Sequence, residues 1–143
     1  MSFDVVIPAR FASTRLPGKP LRELAGKAMV LHTVDRALAS GASRVVVATE
    51  DARIFDLVRA AGVECLMTRD DHESGSDRLA EVVELLGLAG DRVIVNLQGD
   101  EPLMPPRLLA VVAARLAADG SAGVATLATP VQSVDALFDP NVV

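Results

Sequence analysis

Short apolar runs alternate along the chain with longer stretches in which apolar residues return every three or four positions. The runs at residues 3–7, 44–49, 63–67, 92–97 and 124–128 are nearly continuous in apolar character, as strands buried on both faces should be. Between them, Val30, Val34, Ala37 and Leu38 mark one helix, and Ile54, Leu57, Val58 and Ala61 mark a second. Gly41 and Gly62 follow, where a left-handed C-cap is wanted. Leu79, Val82, Val83 and Leu86 give a third stripe, and Leu108, Val112 and Leu116 a fourth, opened by Pro105 and Pro106. The pattern reads βαβαβαβαβ and predicts an α/β fold: a doubly wound, largely parallel sheet with helices on both faces, built by right-handed helical crossovers. Ligands of such sheets gather beyond the carboxyl ends of the strands, so polar motifs just after strands are the places to search.

Composition narrows the reading. Half of the 143 residues are hydrophobic and 23% are charged, with a mean hydropathy of +0.35, which excludes disorder. A single domain of this size buries roughly 68–70% of its unfolded surface and needs no disulfide or structural metal. Cys65 is the only cysteine, which excludes an internal bridge and a cysteine-based zinc site and fits a reducing, cytoplasmic compartment. The net charge of −5, 3% aromatics and the lack of a basic run speak against nucleic acid as a partner. The opening MSFDVVI carries an acid and reaches Pro8, so it is no signal peptide, and no apolar run approaches the length of a membrane segment. No repeat or Ser/Gly linker divides residues 1–143. The closing PNVV begins what reads as another apolar run, so a further C-terminal portion is expected.

Three polar segments carry candidate chemistry. PARFASTRLPGKPL, after the first strand, gathers Arg10, Arg15 and Lys19 with Ser13, Thr14 and Gly18. Cations, hydroxyls and backbone N–H groups at a strand end suit the oxygens of a polyphosphate; the plainer alternative is a solvated loop. Ser13 stands where GxxxxGK[ST] needs a glycine, and GxGxxG is absent, so neither a P-loop ATPase nor a nicotinamide enzyme is supported. NLQGDEP places Asp100 and Glu101 beyond the fourth strand, where a carboxylate can hold Mg²⁺ while triphosphate oxygens and water complete the octahedron; the alternative is an ordinary Gly-Asp turn. TRDDHESGSDRLAEV runs into the third helix. Ser74 and Asp77 fit a capping arrangement, while N–H groups around Gly75 and Ser76 suit an anion or a base edge, with Arg69 and Arg78 as fork-shaped donors. His32 and His72 lack ligand spacing, and Met29 and Met67 read as core filling.

The ordered set IPARFASTRLPGKPL, VVVATED, TRDDHESGSDRLAEV and VNLQGDEP resembles the 3-deoxy-manno-octulosonate (Kdo) cytidylyltransferases over essentially the whole chain. Ala28 departs from the proline usual in that family's GKP, and Ser76 from its threonine. The resemblance implies a Rossmann-like nucleotidyltransferase fold, with residues 1–143 forming the nucleotide-binding part of a cytidylyltransferase domain. It also implies CMP transfer from CTP to Kdo with Mg²⁺ and release of pyrophosphate, for lipopolysaccharide assembly, by an enzyme that is a homodimer when full length. Arg10 and Lys19 match triphosphate-binding positions, with Ala9, Ser13 and Arg15 beside them. Arg69, Ser74 and Gly75 match the base-reading stretch, Gln98 the meeting of nucleotide and sugar, and Asp100 a magnesium ligand. Arg10, Lys19 and Asp100 are the implied catalytic set. The family's second metal carboxylate and most sugar contacts lie later in its chain. Rival readings are a related nucleotidyltransferase, such as one loading sialic acid onto CMP, and a non-catalytic nucleotide-binding module.

Overall fold

The computed structural model describes residues 2–12 and 16–139. Four parallel strands form the sheet: β1 (Phe3–Pro8), β4 (Arg44–Thr49), β5 (Glu64–Met67) and β6 (Val93–Asn96), in the order β5-β4-β1-β6. Between β1 and β4 lie a 3-10 turn (Lys19–Leu21), a small hairpin of β2 (Glu23–Leu24) and β3 (Lys27–Ala28), and helix α1 (Met29–Leu38). Helices α2 (Ala52–Ala60) and α3 (Gly75–Leu86) make the remaining crossovers, and α4 (Pro106–Ala118) and a short α5 (Val134–Phe138) follow β6.

Strand alternation divides the core in two. Phe3, Val5 and Ile7 of β1 face α1, α2 and α4, where Val30, Val34, Ile54, Val58, Leu109 and Ala113 are buried against them. Val6, Val46 and Ala48 face α3, whose Val82 is buried, with Leu79 and Leu86 packed alongside. Helices therefore lie on both faces, as the alternation predicts. Every residue of β1 is buried, which explains its unbroken apolar run apart from Asp4. That buried carboxylate receives Arg92 at the start of β6: Arg92 Nε donates to Asp4 Oδ2 at 2.8 Å, and a second guanidinium nitrogen reaches Oδ1. A charge that cannot stay alone in the sheet thus ties the neighbouring strands β1 and β6 together.

Caps and turns follow local chemistry. Asp51 caps α2, accepting from the N–H groups of Arg53 and Ile54, and Ser74 with Asp77 forms a complete capping box on α3. Gly41 and Gly62, just beyond α1 and α2, have φ of +81° and +78°, the left-handed turn expected of them. The hairpin turns through Ala25 and Gly26, both at positive φ.

One expectation is overturned. Residues 124–128 form no strand; Val124 is 83% exposed and Leu127 is 42% exposed. An apolar run becomes a strand only where a sheet edge supplies its hydrogen bonds, and among the described residues this one meets none. No helix of the described residues is long and apolar enough to cross a membrane.

Asp51 gives a pH test of a local cap. Its hydrogen bond with the Arg53 side chain, helped by the N–H groups of Arg53 and Ile54, holds its carboxyl below the ordinary value against the opposing effect of burial. A lowered folded value contributes stability above the unfolded value, near pH 4, and that stability is lost as pH falls through the folded value. Asp51→Ala is expected to lower unfolding free energy by about 0.5–2 kcal/mol at pH 7. Urea titrations at successive pH values should show the gap from the unaltered chain shrinking below pH 4.

Candidate functional site

The sheet reverses its direction of growth at β1. From β1 the chain moves outward to β4 and β5, then crosses back through α3 to β6 on the other side of β1. Because α1 and α3 leave on opposite faces, a crevice opens beyond the ends of β1 and β6, the place where doubly wound sheets bind ligands. A cavity of about 540 Å³ lies there. Its walls come from Pro8 at the end of β1 with Ala9 and Arg10 beyond it, from Leu16, Lys19 and Pro20, from Gln98, Gly99 and Asp100 after β6, and from Gly75 at the start of α3.

Two strand ends 90 residues apart are brought together by backbone pairing. Leu97 N–H donates to Val6 O at 3.1 Å and Gly99 N–H to Pro8 O at 3.2 Å, which continues the parallel ladder past the last paired residues. Gly99 is required by this approach, since a Cβ there would stand 3.0 Å from Pro8 O and 3.3 Å from Ala9 Cβ. From below, the buried Thr33 hydroxyl of α1 donates to Gly99 O at 3.0 Å. Asp100 then enters the cleft and meets Lys19, Nζ to Oδ2 at 2.8 Å. Side-chain exposures of 36% for Lys19 and 50% for Asp100 make this a solvent-screened pair worth about 0–1 kcal/mol. Both groups are free to exchange partners at little cost.

The structure therefore gathers Ala9, Arg10, Lys19, Gly75, Gln98 and Asp100 around one cavity. Ser13 and Arg15 lie outside the described residues. Arg69 stands apart, in a second hollow of about 320 Å³ with Asp71, His72, Glu73 and Asp77. Its Nε is 3.3 Å from Asp71 Oδ1. Ser74 Oγ is engaged in the cap, accepting Asp77 N–H at 3.2 Å and donating to Asp77 Oδ2 at 2.6 Å. That bond with Ser74 is the main reason the Asp77 carboxyl is held below its ordinary value.

Several side chains behave otherwise than their sequence context indicates. Arg78, read as a donor toward ligand, is 1% exposed and points into the protein, where it pairs with Glu50 and donates to Thr68 Oγ1. Burial pulls its guanidinium below the ordinary value, with Glu50 opposing and Arg10 adding to the shift. His72 is buried against Glu81, which also accepts Arg69 N–H at 3.0 Å. Burial pushes Glu81 up, but these partners outweigh it and leave the carboxyl below its ordinary value. Burial pushes the Cys65 thiol up to about 11, so it stays protonated as a small core hydrophobe. Thr33 and Glu50 were not legible as site residues: one lies in a helix stripe and the other beside a strand end, with partners far away in sequence.

A single divalent cation fits this donor set in one way. Among the described residues no group of three or more His, Cys, Asp or Glu side chains converges. Asp100 already accepts a cation, the Lys19 ammonium, at the cleft. One carboxylate suffices for Mg²⁺, which keeps several waters and takes further oxygens from substrate phosphates.

Known proteins resemble this chain in sequence and in fold. The profile of the family described as "Cytidylyltransferase" matches residues 5–143. The curated 3-deoxy-manno-octulosonate cytidylyltransferase of Yersinia enterocolitica is 58% identical over 143 residues, which cover 100% of this chain and 57% of that protein. The protein of the same name from Halorhodospira halophila is 58% identical over 142 residues, covering 99% of this chain and 55% of its own length. The chain thus spans little more than half the length of these relatives. Among solved structures, CMP:2-keto-3-deoxy-manno-octonic acid synthetase complexed with CTP matches with a TM-score of 0.77 at 43% identity, over 85% of this chain and 49% of that one.

Thr33 offers a test of how the Asp100 turn is held. Thr33→Val keeps the shape and leaves Gly99 O buried without its donor, so unfolding free energy should fall by about 1–3 kcal/mol. Thr33→Ser, which retains the hydroxyl, should recover most of that loss in denaturant titrations. Equal stability of the Val and Thr proteins would show that the bond does not support the turn.

Proposed function

The chain belongs to the cytidylyltransferase family, and from that premise we propose that it binds CTP in the β1/β6 cleft, as the nucleotide-binding part of an enzyme that transfers CMP to Kdo. The observation that supports this most is the meeting of Lys19 and Asp100 across a cleft that also contains Arg10. A cation and an acid at a strand-end crevice match the two needs of a metal-bound triphosphate, namely donors for phosphate oxygens and a carboxylate for the metal. The relative solved with CTP gives the nucleotide, and the curated names give the sugar.

In this reading the anomeric hydroxyl of Kdo attacks the α-phosphorus of CTP, a new O–P bond forms as the bond to the β-phosphate oxygen breaks, and pyrophosphate leaves. The hydroxyl proton goes to solvent or to a basic oxygen nearby. Charge spreads over the phosphoryl oxygens, so positioning and neutralisation supply the catalysis and no protein nucleophile is needed. Arg10 and Lys19 hold triphosphate oxygens. Asp100, together with triphosphate oxygens, would hold Mg²⁺, which would supply neutralisation of phosphate charge. Lys19 leaves Asp100 for phosphate at little cost, because the pair they form is exposed. Gly75 and Gln98 line the α3 side, toward which the base is directed. Base reading by Arg69 and Ser74, flanking roles for Ser13 and Arg15, a cytoplasmic location and a homodimer belong to the same proposal.

From a version extended to the full length of its relatives, pyrophosphate release is expected only when CTP, Mg²⁺ and Kdo are all present, measured with a coupled phosphate assay in parallel with sialic acid and hexose 1-phosphates. Turnover with a hexose 1-phosphate and none with Kdo would overturn the substrate. CTP binding without turnover on any acceptor would leave a nucleotide-binding module.

Asp100→Asn separates the two roles of the cleft. It keeps the shape and removes the charge, so in the full-length enzyme kcat should drop by about two orders of magnitude or more. CTP affinity without Mg²⁺ should stay the same or increase, because a carboxylate that repels triphosphate and occupies Lys19 is gone. Near-normal kcat at limiting Mg²⁺ would falsify the metal role.

A further inference from the structure

Behind the cleft lies a charged pair whose residues do not line the cavity. Arg78 of α3 is 1% exposed, and Glu50 stands one residue beyond β4. Glu50 divides its oxygens between two directions: Oε1 accepts Phe11 N–H at 2.8 Å, while Oε2 is 3.2 Å from an Arg78 guanidinium nitrogen. Another guanidinium nitrogen of Arg78 donates to Thr68 Oγ1, just past β5. Buried ion pairs are often no more stabilising than apolar pairs of the same volume, so stability is a weak reason for this one.

Its geometry supplies a better reason. Phe11 follows Arg10, and Gly18 precedes Lys19. The two residues close on each other, with Gly18 N–H donating to Phe11 O at 2.9 Å. A Cβ on Gly18, which has φ of +69°, would stand 2.8 Å from the Phe11 ring, so the contact is as close as glycine permits. Arg53 lies over the ring, 3.6 Å from its centroid. This neck fixes the spacing of Arg10 and Lys19, and its one bond to Glu50 is charge-assisted. A planar guanidinium can hold Glu50 and Thr68 together, which an ammonium on a single point cannot do as rigidly.

We propose that Glu50 and Arg78 form a positioning strut that locks the Phe11–Gly18 neck to α3, setting the distance between the Arg10/Lys19 wall of the cleft and the Gly75 wall before nucleotide arrives. The proposal rests on the nucleotide reading above for its functional consequence, although the strut itself is a property of the free protein. Neither residue is a catalytic residue; both act through the groups they hold.

The test uses Arg78→Met, the charge-free pair Glu50→Leu with Arg78→Met, and Val45→Ala as a core variant at the end of β4 away from Glu50. Amide hydrogen exchange of the nucleotide-free protein is expected to show protection at Phe11 and Gly18 falling about tenfold or more in the strut variants, relative to Val45→Ala. Titration with CTP and Mg²⁺ should show a dissociation constant raised about tenfold or more, with Val45→Ala unchanged. If Arg78→Met does not fold, the charge-free pair decides, since it leaves no buried charge unpaired. Unaltered neck protection in the folded double variant overturns the strut. Lost protection with an unchanged CTP constant overturns its role in setting the cleft. If the unaltered chain binds no CTP, the nucleotide reading falls and exchange alone decides, lost protection upholding the strut and retained protection overturning it.

Discussion

The parallel pairing of β1 with β6 is the constraint from which the cleft follows. Register runs from Phe3 opposite Val93 to Val6 opposite Asn96, and two more backbone bonds carry it to Pro8 and Gly99. Each strand end is then followed by a polar turn, and the two turns face each other with open space between. Asp4 and Arg92 hold the opposite end of the same pair of strands. A slip of one residue would turn Val5 and Ile7 away from α1 and carry Asp100 out of reach of Lys19.

The electrostatics of the molecule depend on where its acids are occupied. The chain carries a net charge of −5, yet its main cavity is lined by Arg10 and Lys19. Outside the cleft, carboxylates are engaged locally: Asp4 with Arg92, Glu64 with Arg44, Asp51 with Arg53 and Glu81 with His72. Asp100 is the acid of the cavity wall, and its partner is a flexible lysine. An anionic ligand therefore meets cations whose counter-charge is weakly held, and an acidic protein can present an anion site without a basic surface.

Legibility in the sequence tracked how local the determining physics is. The central strands β1 and β4 are evident because burial on both faces makes them nearly apolar throughout, the edge strands β5 and β6 keep shorter apolar runs, and Ser74 with Asp77 announces a cap because both partners lie within one turn. Asp100 and Lys19 stood out as chemistry following strands, and the doubly wound topology places both at one crevice. Residues 124–128 have a strand's composition without a strand's neighbour, and pairing is decided by the neighbour. Arg78 illustrates the converse: beside a capped helix start it resembles a ligand donor, but its partners Glu50 and Thr68 come from the ends of other strands. Thr33 is 66 residues from the carbonyl it supports, beyond anything periodicity reports.

The base-side wall adds an energetic ordering to the proposed nucleotide site. For Ser74 to donate to a base its hydroxyl must turn from Asp77 Oδ2, while its oxygen keeps the Asp77 N–H that caps the helix. Gln98 is exposed, and its amide donates to Asn96 Oδ1 at 3.0 Å on the same open surface, where water readily replaces a lost bond. Gly75 brings the start of α3 so close to Gln98 that a Cβ would stand 3.2 Å from its amide nitrogen. Gln98 and the backbone at Gly75 are thus polar groups on that wall that can turn to a ligand without dismantling the helix start. Arg69 stands in the neighbouring hollow, its Nε 3.3 Å from Asp71 Oδ1 and its N–H donating to Glu81. That ion pair is exposed and weak, so it holds the guanidinium there only loosely.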